Sequence, residues 1–231
     1  MDDIKRIISE DKLSFWDCSW SSVILEHISA YISHLTPSMD TIIDFLNEYG
    51  IKCVCDAGCG CGILSLKLAQ SGFTVSGFDI SEKAVSLAKK LLSESGFSAD
   101  TFRVADILST GYTDSRFEAV ITRDVIDHLP IRQGIIAVKE LLRITQPGGY
   151  LILTLDTTGN EYEYEPHQVN EDGDYLFTGG KWNGMVFHPY SVNEIEKLTS
   201  GLYIKQTLSV ENGSLVVLQK NQENCFAVNC L

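Results

Sequence analysis

The sequence predicts an α/β protein with a doubly wound sheet of seven strands, mainly parallel and ending in a C-terminal antiparallel hairpin. Two observations predict this fold. From Ile51 to Leu155, apolar runs of strand length alternate with segments whose apolar residues recur at helical spacing. Later in the chain, Asn212-Gly213 separates two apolar runs, which is a strong signal for a two-residue hairpin turn.

We expect one domain, because 231 residues suffice for a single sizeable core. Its segments are a helical N-terminal cap (1–50), a core (51–156), an inserted lid (157–187), a terminal helix and hairpin (188–220) and a tail (221–231). In the cap, Pro37 ends a first helical series and Ser38 is the expected N-cap of a second. The apolar residues of the two series are Val23, Ile24, Ile28, Ile32 and Leu35, and then Ile42, Ile43, Phe45, Leu46 and Tyr49.

The remaining elements are expected in a regular order. Ser81 should cap a helix that Gly96 ends, and a further helix should carry Ile135, Ile136, Val138, Leu141 and Leu142. The other expected elements are a third strand near 99–105, a fourth at 117–122, a turn at Pro147-Gly148-Gly149, a fifth strand at 150–155, a helix from Pro189 with Ile195 and Leu198, and the hairpin strands 202–210 and 214–220.

A glycine-rich turn after the first strand is the feature around which the core is arranged. The strand from Ile51 ends at the acid Asp56, and Gly58, Gly60 and Gly62 follow before an apolar helix. Glycine is needed where the backbone adopts a positive φ or approaches a ligand, and a helix start presents unpaired N–H groups. Asp79 ends the next apolar run, about 20 residues past the turn, where an acid can hold a ribose. The pattern predicts a nucleoside-cofactor site.

Details of this turn separate two kinds of cofactor. A dinucleotide site uses G-x-G-x-x-G and places a pyrophosphate at the helix start. Here Ile63 stands where the third glycine would fall, and Asp56 precedes the first glycine by two residues. A carboxylate at that point opposes a phosphate and suits an ammonium or sulfonium group.

The pattern D-x-G-x-G-x-G followed by an acid resembles the first motif of class I S-adenosylmethionine-dependent methyltransferases. The resemblance covers roughly residues 51–156, and the terminal hairpin on a parallel sheet is similar to the Rossmann-like topology of that family. It implies that Asp56 and the loop Gly58, Cys59, Gly60 and Gly62 hold the methionine part of S-adenosylmethionine. It also implies that Asp79 holds the ribose and Ile80 packs on the adenine, that Asp106 and Ile107 bind the adenine edge, and that Thr122 and Arg123 line the methionine end.

Each of these residues also has a purely structural interpretation. Asp56 could only cap the turn, and Asp106 could be a helix N-cap. Arg123 could simply pair with Asp124 or Asp127. Convergence of the acids on one sheet edge favours the site interpretation, because open α/β sheets bind ligands beyond the carboxyl ends of their strands.

The implied reaction is in-line transfer of a methyl group to a small-molecule nucleophile (O, N, S or C), releasing S-adenosylhomocysteine. A hydroxyl or acidic carbon needs a general base, whereas a thiolate or free amine needs none. The histidine candidate for that base is His128, which follows the fourth strand and could instead brace the loop. His167 and His188 belong to the insert and are candidates for substrate contact, while His27 and His34 receive no role.

Aromatic residues occur at two places that could face the acceptor. Trp16 and Trp20 belong to a dense patch at 15–20, which could wall the pocket or only anchor the cap to the core. The insert combines aromatic residues, Trp182 among them, with acids, as expected of a lid over a flat or cationic acceptor. The acids could equally only keep a surface loop soluble.

The composition limits the partners. A net charge of −13 disfavours a nucleic acid, whose binding depends on Lys and Arg. No apolar run approaches the roughly 20 residues that cross a bilayer, and the first residues lack a signal-peptide pattern, so we expect a cytoplasmic protein. We also expect a monomer or a homodimer.

Seven cysteines include a crowded group, Cys53, Cys55, Cys59 and Cys61. We expect no metal there, because the spacing differs from zinc knuckles and cysteine fits a buried strand or loop as a small apolar residue.

Three other functions stay open. They are a non-catalytic S-adenosylmethionine-binding regulator, an NAD-dependent oxidoreductase, which the missing glycine and the hairpin disfavour, and a macromolecular methyltransferase, which would need a basic surface.

Overall fold

The computed structural model describes residues 15–24, 28, 37–156, 164–200, 202–210 and 213–222. The predictions for His27, His34, Ile32 and Leu35, most of the tail, the start of the insert and the turn residue Asn212 lie outside these residues. A helical segment at 15–21 comes first. The helices are then α1 (Pro37–Glu48), α2 (Ile63–Gln70), α3 (Glu82–Glu94), α4 (Ile131–Ile144) and α5 (Val192–Leu198), with 3₁₀ turns at Ile126–His128 and Gly180–Trp182. The strands are β1 (Cys53–Ala57), β2 (Thr74–Asp79), β3 (Phe102–Val104), β4 (Phe117–Thr122), β5 (Thr145–Asp156), β6 (His167–Val169), β7 (Tyr175–Phe177), β8 (Val186–Phe187), β9 (Tyr203–Val210) and β10 (Gly213–Gln219).

The main sheet has seven strands in the order β3-β2-β1-β4-β5-β10-β9. The first five strands are parallel, and β10 pairs antiparallel with both β5 and β9. The predicted fold class, including the terminal hairpin, is confirmed. The chain runs outward from β1 in one direction and from β4 in the other, so the strand order reverses between them. That reversal is where open α/β sheets bind ligands.

Successive residues of the central strands pack on opposite faces of this sheet, as the pleat requires. On one face, Val54 packs with Leu46 of α1 and Leu68 of α2. On the other, Cys55 packs with Leu141 of α4. Cys53, two residues before Cys55 in β1, also packs on this second face. Both faces are covered, which explains why the strands are apolar throughout.

The structure corrects several predicted boundaries. Helix α1 starts at Pro37, so Ser38 lies in its first turn and is not the N-cap. Helix α5 starts at Val192 and not at Pro189, because Ser191 and Glu194 form a capping box there. The turn expected at residues 147–149 lies inside β5, where the Gly148 N–H and the Gly149 C=O bond to Lys220, both at 2.9 Å, and continue the pairing with β10.

Helix α4 buries Val138 and Leu141 of the predicted apolar series, whereas two other members of that series lie on its exposed side. Ile135 and Ile136 are 40% and 50% exposed, and the buried positions are Gly134, Ala137, Val138, Leu141 and Ile144.

The described part of the insert forms a small antiparallel sheet, β6-β7-β8. Among the described residues, no helix is both long and apolar enough to cross a membrane.

Candidate functional site

A cavity of about 300 Å³ lies beyond the carboxyl ends of β1, β2 and β4. The predicted residues that line it are Asp56, Gly58, Cys59, Gly60, Asp79, Ile80, Asp106, Ile107, Arg123, His128, Trp16 and Trp20. Gly62, Thr122, His167, Trp182 and His188 are not among its lining residues. Lining residues that the sequence reasoning did not select include Asp124, Val125, Leu129 and Gln133.

The glycine turn adopts left-handed backbone at all three glycines, with φ of 76° at Gly58, 51° at Gly60 and 86° at Gly62. Gly62 also lets two helices approach, because a Cβ there would lie 2.9 Å from the Cα of Ala88 in α3. This close packing explains why residue 62 is a glycine although it does not line the cavity.

The N–H groups of this turn are mostly satisfied within the protein, contrary to the expectation of unpaired donors. The N–H groups of Gly58 and Cys59 donate to the Phe78 carbonyl at 2.8 and 2.9 Å. The Gly62 N–H donates to Cys59 O at 2.9 Å, and the Gly60 N–H donates to the Asp79 carboxylate. The acids beside the turn thus give the cavity an acceptor-rich wall, which suits a ligand with donors or positive charge and not a pyrophosphate.

Asp56 is buried at the end of β1, where it accepts a hydrogen bond from Ser65 Oγ at 2.5 Å. Burial raises its pKa to about 6, and the Ser65 hydrogen bond and the charge of Arg123 oppose that rise. The carboxylate is therefore mostly ionised at neutral pH and costly to leave without a cationic partner.

Asp79 is held at the tip of β2 by two backbone donors. Its Oδ2 accepts from Gly60 N and its Oδ1 from Ser81 N, both at 2.9 Å. Ser81 caps α3 by accepting from Ala84 N, as predicted, and its hydroxyl also donates to Asp17 in the helical segment 15–21. Each Asp79 oxygen keeps a further lone pair for a ligand hydroxyl. Burial raises the pKa of Asp79 despite these bonds.

Asp106 and Ile107 lie side by side after β3 and present different chemistry. Asp106 is exposed, and its Oδ1 accepts from Leu108 N at 2.8 Å in a turn that leads into no helix, so it is not a helix N-cap. Ile107 is buried and apolar. Together with Ile80, this side of the cavity offers two apolar residues beside one carboxylate.

Arg123 and Asp124 directly follow β4 and form an ion pair, with Arg123 Nη2 and Asp124 Oδ2 3.1 Å apart. The structural interpretation of Arg123 as a partner of Asp124 is thus confirmed, and both residues also line the cavity. Asp124 takes a positive φ of 55°, and its backbone and carboxylate bond to the hydroxyl of Thr154 in β5 at 2.8 and 3.1 Å. Thr122 is buried one residue before this pair and does not reach the cavity.

His128 lies in the 3₁₀ turn after β4 and is buried among aromatic rings. Its ring centroid lies 5.2 Å from that of Trp16, edge to face, and 5.9 Å from that of Phe187. Burial lowers the pKa of His128, which favours the neutral imidazole. Beside it, Asp127 is fully buried, and Asp156 ends β5 half-buried. Sequence reasoning missed Asp156, although it ends its strand as Asp56 and Asp79 do.

The helical segment 15–21 covers the glycine turn and joins it to the small sheet. The indole of Trp20 packs so closely that a Cβ on Gly60 would lie 2.9 Å from it. Phe15 and Trp16 pack against the buried Phe177 and Phe187 of the small sheet. Trp16 and Trp20 therefore both anchor this segment and wall the cavity.

The other three predicted contact residues lie within or beside the small sheet, away from the lining. His167 stacks on Tyr175 with ring centroids 4.3 Å apart and bonds to Glu165 O. Trp182 packs on the same aromatic cluster. His188 is buried, with Nδ1 2.9 Å from Asp174 and Nε2 3.5 Å from Glu194. Within the described ranges, no three His, Cys, Asp or Glu side chains are arranged to hold a metal ion.

Comparisons with known proteins agree with this arrangement. A family model described as a methyltransferase domain matches residues 51–203. A 2-heptyl-1-hydroxyquinolin-4(1H)-one methyltransferase of Mycobacteroides abscessus is 37% identical over 123 residues, 51% of this chain and 53% of that protein. A ubiquinone biosynthesis O-methyltransferase of Thiobacillus denitrificans is 36% identical over 112 residues, 48% of this chain and 47% of that protein. The chain thus spans about half the length of these curated relatives.

A solved structure supports the fold. Magnesium protoporphyrin IX methyltransferase of Synechocystis, with bound SAH, superposes with a TM-score of 0.61, covering 80% of this chain and 82% of that chain. At 24% identity, this likeness concerns the fold alone.

Proposed function

Since the chain belongs to the methyltransferase-domain family, we propose that it transfers a methyl group from S-adenosylmethionine to a small-molecule acceptor. S-adenosylmethionine supplies an electrophilic methyl group on a positively charged sulfur. The observation that carries the proposal is the acceptor-rich wall of the cavity. Asp56 and Asp79 converge there, while four N–H groups of the glycine turn are bonded internally.

The residues fit this cofactor part by part. Asp79 would accept from the ribose hydroxyls while its two backbone donors fix its carboxylate. Ile80 and Ile107 would pack on the adenine, and Asp106 would accept from its amino group. Asp56, with the carbonyls of the glycine turn, would face the ammonium and sulfonium end.

The protein would accelerate the reaction mainly by holding two reactants in line. Alignment of bound reactants is worth up to roughly 7–11 kcal/mol. Trp16, Trp20 and His128 would bound the acceptor side, and the aromatic cluster of the small sheet, which packs on Trp16, would exclude water from it. An oxygen nucleophile is favoured, because the ubiquinone-pathway relative is named as an O-methyltransferase.

The organisation of the chain follows from the same function. The chain would act as one methyltransferase domain, with the insert as a lid over the acceptor side. It would be cytoplasmic, and it would be a monomer or homodimer.

Calorimetric titration tests the proposal directly. We expect S-adenosylmethionine and S-adenosylhomocysteine to bind at one site per chain and NADH to give no heat of binding. An acceptor screen on the same sample should then consume S-adenosylmethionine. Binding without consumption by any acceptor would instead indicate a non-catalytic regulator.

A further inference from the structure

Three acids gather beyond the ends of β4 and β5, next to the part of the cavity that Asp124 and His128 line. Thr154 bonds to Asp124, and Asp156 lies two residues further along β5. Residues two apart on a strand project from the same face. The half-buried carboxylate of Asp156 therefore projects on the same side of β5 as Thr154, where the charges of Asp124, Arg123 and His128, three residues that line the cavity, act on it.

The surroundings of Asp127, the third of these acids, indicate that the group binds or transfers protons. Its side chain is fully buried, and neither carboxylate oxygen makes a hydrogen bond of ordinary geometry. The negative charge of Asp124 acts on it, and the Asp156 backbone N–H lies close to its carboxylate. A buried, incompletely satisfied carboxylate is costly, and such groups are characteristic of sites that bind or move protons.

We propose that the methyl acceptor carries a hydroxyl group and that Asp156 takes its proton during transfer. This inference rests on the proposed function. The O–H bond breaks and its proton passes to the Asp156 carboxylate, while the oxygen forms the new bond to the methyl carbon as the carbon–sulfur bond breaks. Nothing is oxidised or reduced. Transfer from a sulfonium to a neutral hydroxyl must release one proton, and Asp156 receives it.

The environment of Asp156 suits that task. Burial raises its pKa to about 7, and the negative charges of Asp127 and Asp124 contribute to that rise, while His128 and Arg123 oppose it. A base whose pKa lies near the working pH is the most effective. His128 is less suited, because burial lowers its pKa and aromatic rings enclose it. Asp127 does not need to touch the acceptor, because its charge acts on Asp156.

Two variants and a matched control test the proposal in the full chain. The hydroxyl probes are phenol, catechol and hydroquinone, and thiophenol serves as an acceptor that is already ionised at neutral pH. Asp156→Asn should lose about 10²- to 10⁴-fold in kcat/KM with the hydroxyl probes, with unchanged S-adenosylmethionine affinity and thiophenol turnover. Asp44→Asn removes an exposed acid of α1 and should change neither.

Asp127→Asn keeps the proposal testable if Asp156→Asn does not fold. Removing this negative charge lowers the pKa of Asp156, so the ascending limb of the pH–rate profile should move to lower pH. An unmoved limb, or equal losses with thiophenol and the phenols, would overturn the assignment of Asp156. A protein that binds S-adenosylmethionine but methylates no hydroxyl probe would overturn the hydroxyl acceptor. One that does not bind S-adenosylmethionine would overturn the proposed function itself.

Discussion

Replacing Asp79 by asparagine removes the negative charge of the carboxylate that we assign to ribose binding and keeps the size of the side chain. The carboxylate accepts one backbone N–H on each oxygen, both at 2.9 Å. An asparagine side chain at this position would keep one of these acceptors, and its amide NH₂ would face the N–H of Gly60 or Ser81. The side chain would also offer the ribose an uncharged partner.

The expected loss of cofactor affinity follows from these contacts. A hydrogen bond to a charged group contributes about 1.5–3 kcal/mol, so the dissociation constants of S-adenosylmethionine and S-adenosylhomocysteine should rise roughly 10- to 150-fold. The unpaired backbone N–H should also cost about 1–3 kcal/mol of unfolding free energy.

Calorimetric titration and urea denaturation measure the two effects separately. Asp100→Asn is a suitable control, because this exposed acid bonds only to nearby Ser98 among the described contacts. A folded Asp79→Asn protein with wild-type cofactor affinity would refute the ribose assignment.

Three further predictions concern the loop, the acids and the tryptophans. Gly62→Ala should destabilise the protein by about 1–3 kcal/mol more than Gly72→Ala, because both glycines have a φ near 90° but only Gly62 would meet Ala88. Equal urea midpoints for the two variants would contradict the packing argument. Burial raises the pKa of Asp127 from an ordinary 3.8 to about 7, so the folded protein holds a proton that the unfolded chain has released. Stability should therefore fall by up to about 4 kcal/mol as pH rises through this interval. Asp127→Asn should reduce the difference in unfolding free energy between pH 5 and pH 8. A variant that keeps the whole wild-type difference would show that Asp127 is not its source. S-adenosylhomocysteine should change tryptophan fluorescence in the wild type and in Trp182→Phe, since Trp16 and Trp20 line the cavity and Trp182 does not. Loss of the signal in Trp182→Phe would contradict that placement.

Much of the fold was predictable, because the signals that define it are local. The strand periodicity, the Ser81 cap and the apolar runs around Asn212-Gly213 predict β1, β2, β4, α3 and the hairpin near their observed bounds. The boundaries that failed depend on distant contacts. Pairing with β10 keeps Pro147 to Gly149 within β5, and no local pattern reports that pairing.

The candidate site divides in the same way. The rule that acids follow the strand ends located Asp56, Asp79 and Asp106 in the cavity lining. The same rule would also have selected Asp156, the acid that ends β5. Asp124 was harder to predict, because its position depends on an unusual positive φ and on Thr154 in another strand. His188 was expected near the cavity, but its partners, Asp174 and Glu194, bury it elsewhere.

A side-by-side titration of the wild-type protein with S-adenosylhomocysteine and NADH tests the central claim most directly. An acceptor-rich cavity should bind S-adenosylhomocysteine at one site per chain and leave NADH free. Saturable binding of NADH, with none of S-adenosylhomocysteine, would contradict the account.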